Sequence, residues 1–123
     1  MTIDTNIIVA YLEGEQSVIS TMSAWHEQGK SLFLSAVTET EILSFPDFSL
    51  SEMKETEQFL EANFAFIAFD RNLARIAAGI RRDRKIKLPD AAIAATALFT
   101  HTPLITRNQR DFKQIGGLRI ITI

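Results

Sequence analysis

The chain has 123 residues, 46% apolar and 23% charged, with a formal net charge of −2; this is the size and composition of one globular domain, residues 1–123. It has no cysteine, which excludes disulfides, thiolate metal sites and thiol catalysis. It has no basic leader followed by an apolar stretch, and no apolar run near the roughly 18 residues of a membrane span, so the expectation is a cytoplasmic protein with no membrane partner.

Met1 to Ile3 is a very short apolar start that reaches Asp4, and Ile7, Ile8, Tyr11 and Leu12 follow at helical spacing. Asp4 therefore sits where a strand gives way to a helix; it is either a simple helix cap or an acid at a strand's carboxyl end, where open α/β sheets bind ligands. Val18, Ile19, Met22 and Trp25 mark a second helix, with Gly29 as its stop. Ser31 to Ser35 reads as a buried strand, followed by a helix from Ala36 to about Phe45, ended by Pro46. Ser49 and Glu52 have capping-box spacing, which predicts a helix to about Ala62. Phe64 to Phe69 is short and aromatic, a third strand.

Asp70 can cap a helix whose inner face is Leu73, Ile76, Ala77 and Ile80. Leu88-Pro89-Asp90 interrupts the pattern, and a small-residue helix is expected from Asp90 to about Thr100. Pro103 to Thr106 reads as strand four and Leu118 to Ile123 as strand five, with residues 106–111 as the loop after strand four. Strands alternating with helices predict an α/β fold with a mainly parallel sheet covered on both faces. Charge is lopsided: residues 1–69 carry two lysines against eleven acids, while residues 70–123 carry eleven Lys and Arg against four. The densest basic run is Arg81-Arg82-Asp83-Arg84-Lys85-Ile86-Lys87, either a patch that grips phosphates or a solvated helix end.

Four acids occupy element boundaries: Asp4 after strand one, Glu41 in the helix after strand two, Asp90 opening the helix before strand four, and Asp111 after strand four. Each alone has a plainer explanation as a solvated, capping or turn residue. If strands one and four are neighbours, Asp4, Asp90 and the 106–111 loop converge at one switch point. Carboxylates gathered there repel one another unless a cation intervenes, and hard oxygen ligands without Cys or His suit Mg²⁺ or Mn²⁺. Phosphodiester hydrolysis is the common work of such a site. The two histidines, His26 and His101, have no acid–serine pairing near them in sequence, so nucleophilic catalysis is not expected.

Asp4-Thr5-Asn6, Glu41 within Thr38 to Leu43, Leu88-Pro89-Asp90 with the following alanines to Ala97, and Leu104 to Phe112 occur in this order over nearly the whole chain. Together they resemble the PIN-domain family, and within it the VapC-like toxins of bacterial toxin–antitoxin pairs. The resemblance implies a three-layer α/β/α fold with a central five-stranded parallel sheet in order 3-2-1-4-5. It implies a metal-dependent ribonuclease in which Asp4, Glu41 and Asp90 hold Mg²⁺ or Mn²⁺, together with homodimerisation and a cognate antitoxin that blocks the site. Many relatives have an aspartate where Asn108 stands, so the fourth position is open between Asp111 and Asn108; one fewer charge favours a single tightly held ion. Thr5, Asn6 and Thr106, with Asn108, match positions that orient the carboxylates.

The reading that follows is an endoribonuclease with Asp4, Glu41, Asp90 and Asp111 as its metal and catalytic site. Arg107 and Arg110, with Arg81, Arg82 and Arg84 of the basic run, are expected on the RNA backbone, where basic side chains position more than they specify. Most of the nine phenylalanines are assigned to the core, which leaves no evident stacking platform. A dehalogenase-like phosphatase needs a second aspartate where Asn6 stands, and a receiver-type switch needs an acid pair at the first strand. A non-catalytic PIN-like module that binds RNA or protein is the alternative, opposed by three intact acids.

Overall fold

The computed structural model describes residues 1–123. Its elements are β1 (Thr2–Ile3), α1 (Thr5–Leu12), α2 (Gln16–Glu27), β2 (Phe33–Ser35), α3 (Ala36–Leu43) and α4 (Leu50–Asn63), then β3 (Ala65–Ile67), α5 (Arg71–Asp83), α6 (Leu88–Thr100), β4 (Leu104–Ile105), α7 (Gln109–Phe112) and β5 (Ile120–Ile121). The five strands form one sheet in the order β3-β2-β1-β4-β5, with every neighbouring pair parallel. Helices cover both faces, as the expected three-layer α/β/α fold requires. No helix is long and apolar enough to cross a membrane.

The central strands are very short, and helix packing holds them in place. One apolar cluster joins Ile3 and Leu34 of the sheet to Ile7, Ile8, Val18, Met22 and Leu60 from three helices. A second gathers Ile93, Ala94 and Ala97 of α6 with Leu104, Phe112 and Ile115. Helix α6 is buried without a break from Ala91 to Ala97, as a helix must be when it is enclosed on all sides. Its alanines let α5 approach closely: Ala77 packs with Ala91 and Ala95, flanked by Ile76, Ile80 and Ile86. Local signals are realised as expected at the helix starts. Ser49 and Glu52 form a reciprocal capping box, and the Asp70 carboxylate accepts from the Leu73 amide at 3.1 Å.

Three expectations need correction. The α6 helix begins at Leu88, not Asp90, because Pro89 occupies the first turn, where its missing N–H costs no helical hydrogen bond. The segment after β4 is not all loop: Gln109–Phe112 forms a short helix, pinned by the completely buried Phe112 ring. Among the phenylalanines only Phe64 and Phe112 are buried, while Phe45, Phe66, Phe69 and Phe99 are exposed. The exposed rings belong to the edge strand β3 with the turn after it, the connection from α3 to α4, and the last turn of α6, none of which a further layer covers.

Stability should follow this division between core and cap. Ile8→Ala, at a fully buried position, should cost about 2–5 kcal/mol, and Ser49→Ala about 1 kcal/mol, read as shifts of the urea midpoint. Equal losses from the two substitutions would contradict the burial pattern.

Candidate metal and nucleic-acid site

The register of the sheet builds the centre of the site. Ile3 pairs with Ile105, so the residues just beyond, Asp4 and Thr106, emerge side by side at the carboxyl ends of β1 and β4. The Asp4 amide donates to the Ile105 carbonyl at 3.0 Å, and the Thr106 hydroxyl donates to Asp4 Oδ2 at 2.6 Å. Asn6 Nδ2 donates to the same oxygen at 3.1 Å, and the Thr5 amide donates to Asp4 Oδ1 at 2.8 Å. Asp4 is thus both the cap of α1 and a carboxylate held by three donors, only 5% exposed. Burial raises its pKa despite the opposing pull of those hydrogen bonds from Thr106, Thr5 and Asn6.

The other acids approach from three separate segments. Glu41, exposed on α3, accepts from the Thr5 hydroxyl at 2.5 Å. Asp90, in the first turn of α6, is half-buried, and its pKa is raised by desolvation first and then by the charges of Asp4, Asp111 and Glu41, against a smaller lowering by Lys87. All four predicted acids therefore share one electrostatic neighbourhood. Asp111 lies on α7, where Asn108 Nδ2 donates to its Oδ2 at 2.8 Å. The Asn108 amide in turn donates to Thr106 Oγ1 at 2.9 Å. Asn108 and Asp111, the two candidates for the fourth position, are thus hydrogen-bonded to each other. No three acidic or histidine side chains close into a tight cage; Asp4, Glu41 and Asp90 border one open depression, and Asp90 and Asp111 border the one beside it. Glu39 faces away, its pKa raised by burial and by Glu61 and Glu57 of α4.

The donor set suits a hard divalent cation. It offers carboxylate oxygens from four segments, one carboxylate deeply buried and another destabilised by like charges, with hydroxyl and amide donors steering three of them. A cation among them would relieve both the desolvation and the repulsion.

The basic residues divide into two groups. Arg107 borders the acidic depression, but its guanidinium binds both oxygens of Glu15, and its Nε donates to the Ile123 carbonyl at 2.9 Å. That pairing lowers the Glu15 pKa and raises that of Arg107. Its amide donates to Asn6 Oδ1 at 3.2 Å, which ties this arginine to the Asp4 network. Arg84 and Arg110 line a second, adjoining groove that also contains Asp90 and Asp111, whereas Arg81 and Arg82 do not line it. Arg81 instead donates from Nε to the Ile86 carbonyl at 3.1 Å. Residues not singled out from the sequence also border these spaces: Glu13 and Glu15 on the acidic side, Lys85, Lys87 and Gln114 on the basic side. The lysines belong to the basic run noted above; nothing local marks Glu13, Glu15 or Gln114.

A family model described as PIN domain matches residues 1–118. The chain belongs to the PIN-domain family. Among curated PIN-domain relatives, Ribonuclease VapC1 of Rickettsia felis is 30% identical, with 100% of this chain and 96% of that protein covered. Ribonuclease VapC of Rickettsia bellii is 29% identical with the same coverage. Among solved structures, a toxin–antitoxin complex from Klebsiella pneumoniae superposes on this PIN domain with a TM-score of 0.82 at 30% identity, covering 98% of this chain and 95% of that one. VapBC2 from Rickettsia felis, bound to a fragment of its promoter DNA, gives a TM-score of 0.85 at 18% identity, covering 99% and 97%. The resemblance and the sheet order that it implies are both borne out.

The raised pKa values of Asp4 and Asp90 set the sign of a pH effect. A carboxyl whose pKa rises on folding binds its proton more tightly when folded, so its penalty is largest at neutral pH and disappears as pH falls into the ordinary carboxylate range. In EDTA, Asp90→Asn should therefore melt at a higher temperature than the parent at neutral pH, and the two melting curves should converge on acidification. Thermal melts across that range check this; a gap that widens in acid would contradict the repulsion.

Proposed function

We propose that this protein is a metal-dependent endoribonuclease, the toxin of a VapBC-type pair. The observation that carries this reading is the convergence of Asp4, Glu41, Asp90 and Asp111 at the carboxyl end of the sheet, with Asp90 under the field of the other three. The family membership and the ribonuclease names of its relatives support it. Asp4, Glu41, Asp90 and Asp111 would hold Mg²⁺ or Mn²⁺, with Asn108 beside Asp111 as a neutral donor. The ion, when bound, supplies charge neutralisation at the phosphodiester and lowers the pKa of the attacking water.

The chain's own groups do the positioning. Thr106 and Asn6 fix one oxygen of Asp4, so its orientation does not depend on solvent. Thr5 holds Glu41 toward the same depression, and Asn108 holds Asp111. Each bond removes rotational freedom from a ligand before it is used, which is how outer residues tune metal affinity. Solved relatives described as toxin–antitoxin complexes support a cognate antitoxin as partner, and a homodimer is part of the same proposal.

The test is cleavage of a mixed pool of structured RNAs by purified, antitoxin-free protein. Cutting should require Mg²⁺ or Mn²⁺, stop in EDTA, and be lost in Asp90→Asn. Thr106→Val should retain the fold and weaken Mn²⁺ binding about 10- to 100-fold, measured by titration calorimetry. Folded protein that binds RNA with metal present yet cuts nothing would favour the non-catalytic module; equal cutting by Asp90→Asn would place the site elsewhere.

A further inference from the structure

The two depressions that meet at Asp90 carry opposite charge. On one side, Glu13, Glu15 and Glu41 join Asp4, and the only cation bordering that space, Arg107, is neutralised by Glu15 in the one ion pair of the chain. On the other side lies a groove of about 440 Å³ lined by Arg84, Lys85, Lys87 and Arg110. None of these four makes an ion pair, although Asp83, Asp90 and Asp111 border the same groove, which leaves it with one net positive charge against the net negative charge of its neighbour. All four are exposed, and Lys87 is close enough to Asp90 to lower its pKa. The groove also receives the start of α6, where no side chain caps the helix, so the helix end adds positive potential.

We infer that this groove is a one-sided phosphate track: an RNA strand leaves the carboxylate centre along Arg84, Lys85, Lys87 and Arg110, and not across Arg107. The inference rests on the nuclease reading only for where the scissile phosphate lies. A polyanion passing Asp90 meets unpaired cations in one direction and a wall of carboxylates in the other. Phosphates on the basic flank release counterions and gain affinity; phosphates on the acidic flank gain nothing. Arg107, with its hydrogen bonds committed to Glu15 and Ile123, serves the rim of the site and not the strand. An acidic protein segment would satisfy the same cations, but it offers no group for the carboxylate centre that the groove opens onto.

The experiment is the salt dependence of binding of a labelled single-stranded RNA to the full chain in EDTA, where cutting is suppressed. Lys85→Ala with Lys87→Ala should lower the slope of log affinity against log salt by about 1.4, roughly 0.7 for each phosphate that is no longer neutralised. Arg110→Ala should lower it by about half as much, while Arg119→Ala, bordering a different depression, should leave it unchanged. All four side chains are exposed, so melting temperatures should hold and the slopes report phosphate binding, not unfolding. Slopes equal to that of the parent in the groove variants, or no salt-dependent RNA binding by the parent, would overturn the track. Cleavage of the same RNA in Mg²⁺ separates the two readings: unchanged slopes with intact cutting sink the track alone, and groove-dependent binding without cutting sinks the nuclease alone.

Discussion

The parallel pairing of β1 with β4 is the constraint on which the site depends. Two residues of each strand are enough to set the register, and the register sets Thr106 beside Asp4. A carboxylate that is 5% exposed carries a large desolvation cost, offset only in part by its three hydrogen bonds. Ionisable groups perturbed in this way cluster at functional sites. The rest of the fold holds this arrangement steady: α1 begins on Asp4 itself, and Ile7 and Ile8 anchor that helix in the core.

From that point the site is assembled by contacts between segments far apart in the chain. Thr5 reaches Glu41, Asn6 reaches both Thr106 and the Arg107 amide, and Asn108 bridges from Thr106 to Asp111. Asp4, Glu41 and Asp111 thus each have a neutral neighbour that limits movement without cancelling charge, while Asp90 has none. The arrangement remains open where a substrate must enter. It keeps its negative charge local, with the nearest arginine spent on Glu15 and the unpaired cations gathered to one side. A nuclease of polyanions needs both features: acids to hold a cation, and separate cations to hold the strand.

Hydrogen-bonding and charge patterns in the sequence were legible where they were local. The capping box at Ser49 and Glu52, the cap at Asp70, and the alternation of strands with helices all translate directly into structure, because they depend on neighbours a few residues away. The four acids were legible as candidates through their places at element boundaries and the motifs around them. The short helix α7 was not, since its stability comes from the buried Phe112 and not from any local start or stop signal. The exposure of Phe45, Phe66, Phe69 and Phe99 was likewise invisible, because hydrophobicity alone does not say whether a covering layer exists.

The sequence by itself determined the fold class and the order of every element but α7, since periodicity and turn chemistry are written along the chain; its motifs carried the resemblance to the family and marked the four carboxylates as candidates. Tertiary structure alone decided that Thr106 is the partner of Asp4, that Arg107 is occupied by Glu15 and Ile123, and that Arg84, Lys85, Lys87 and Arg110 share one groove while Arg81 and Arg82 stand outside it. The physical reason is distance. Thr106 and Asp4 are separated by 102 positions and Arg107 and Glu15 by 92, and a charge takes its role from whatever opposite charge the folded chain brings within a few ångströms.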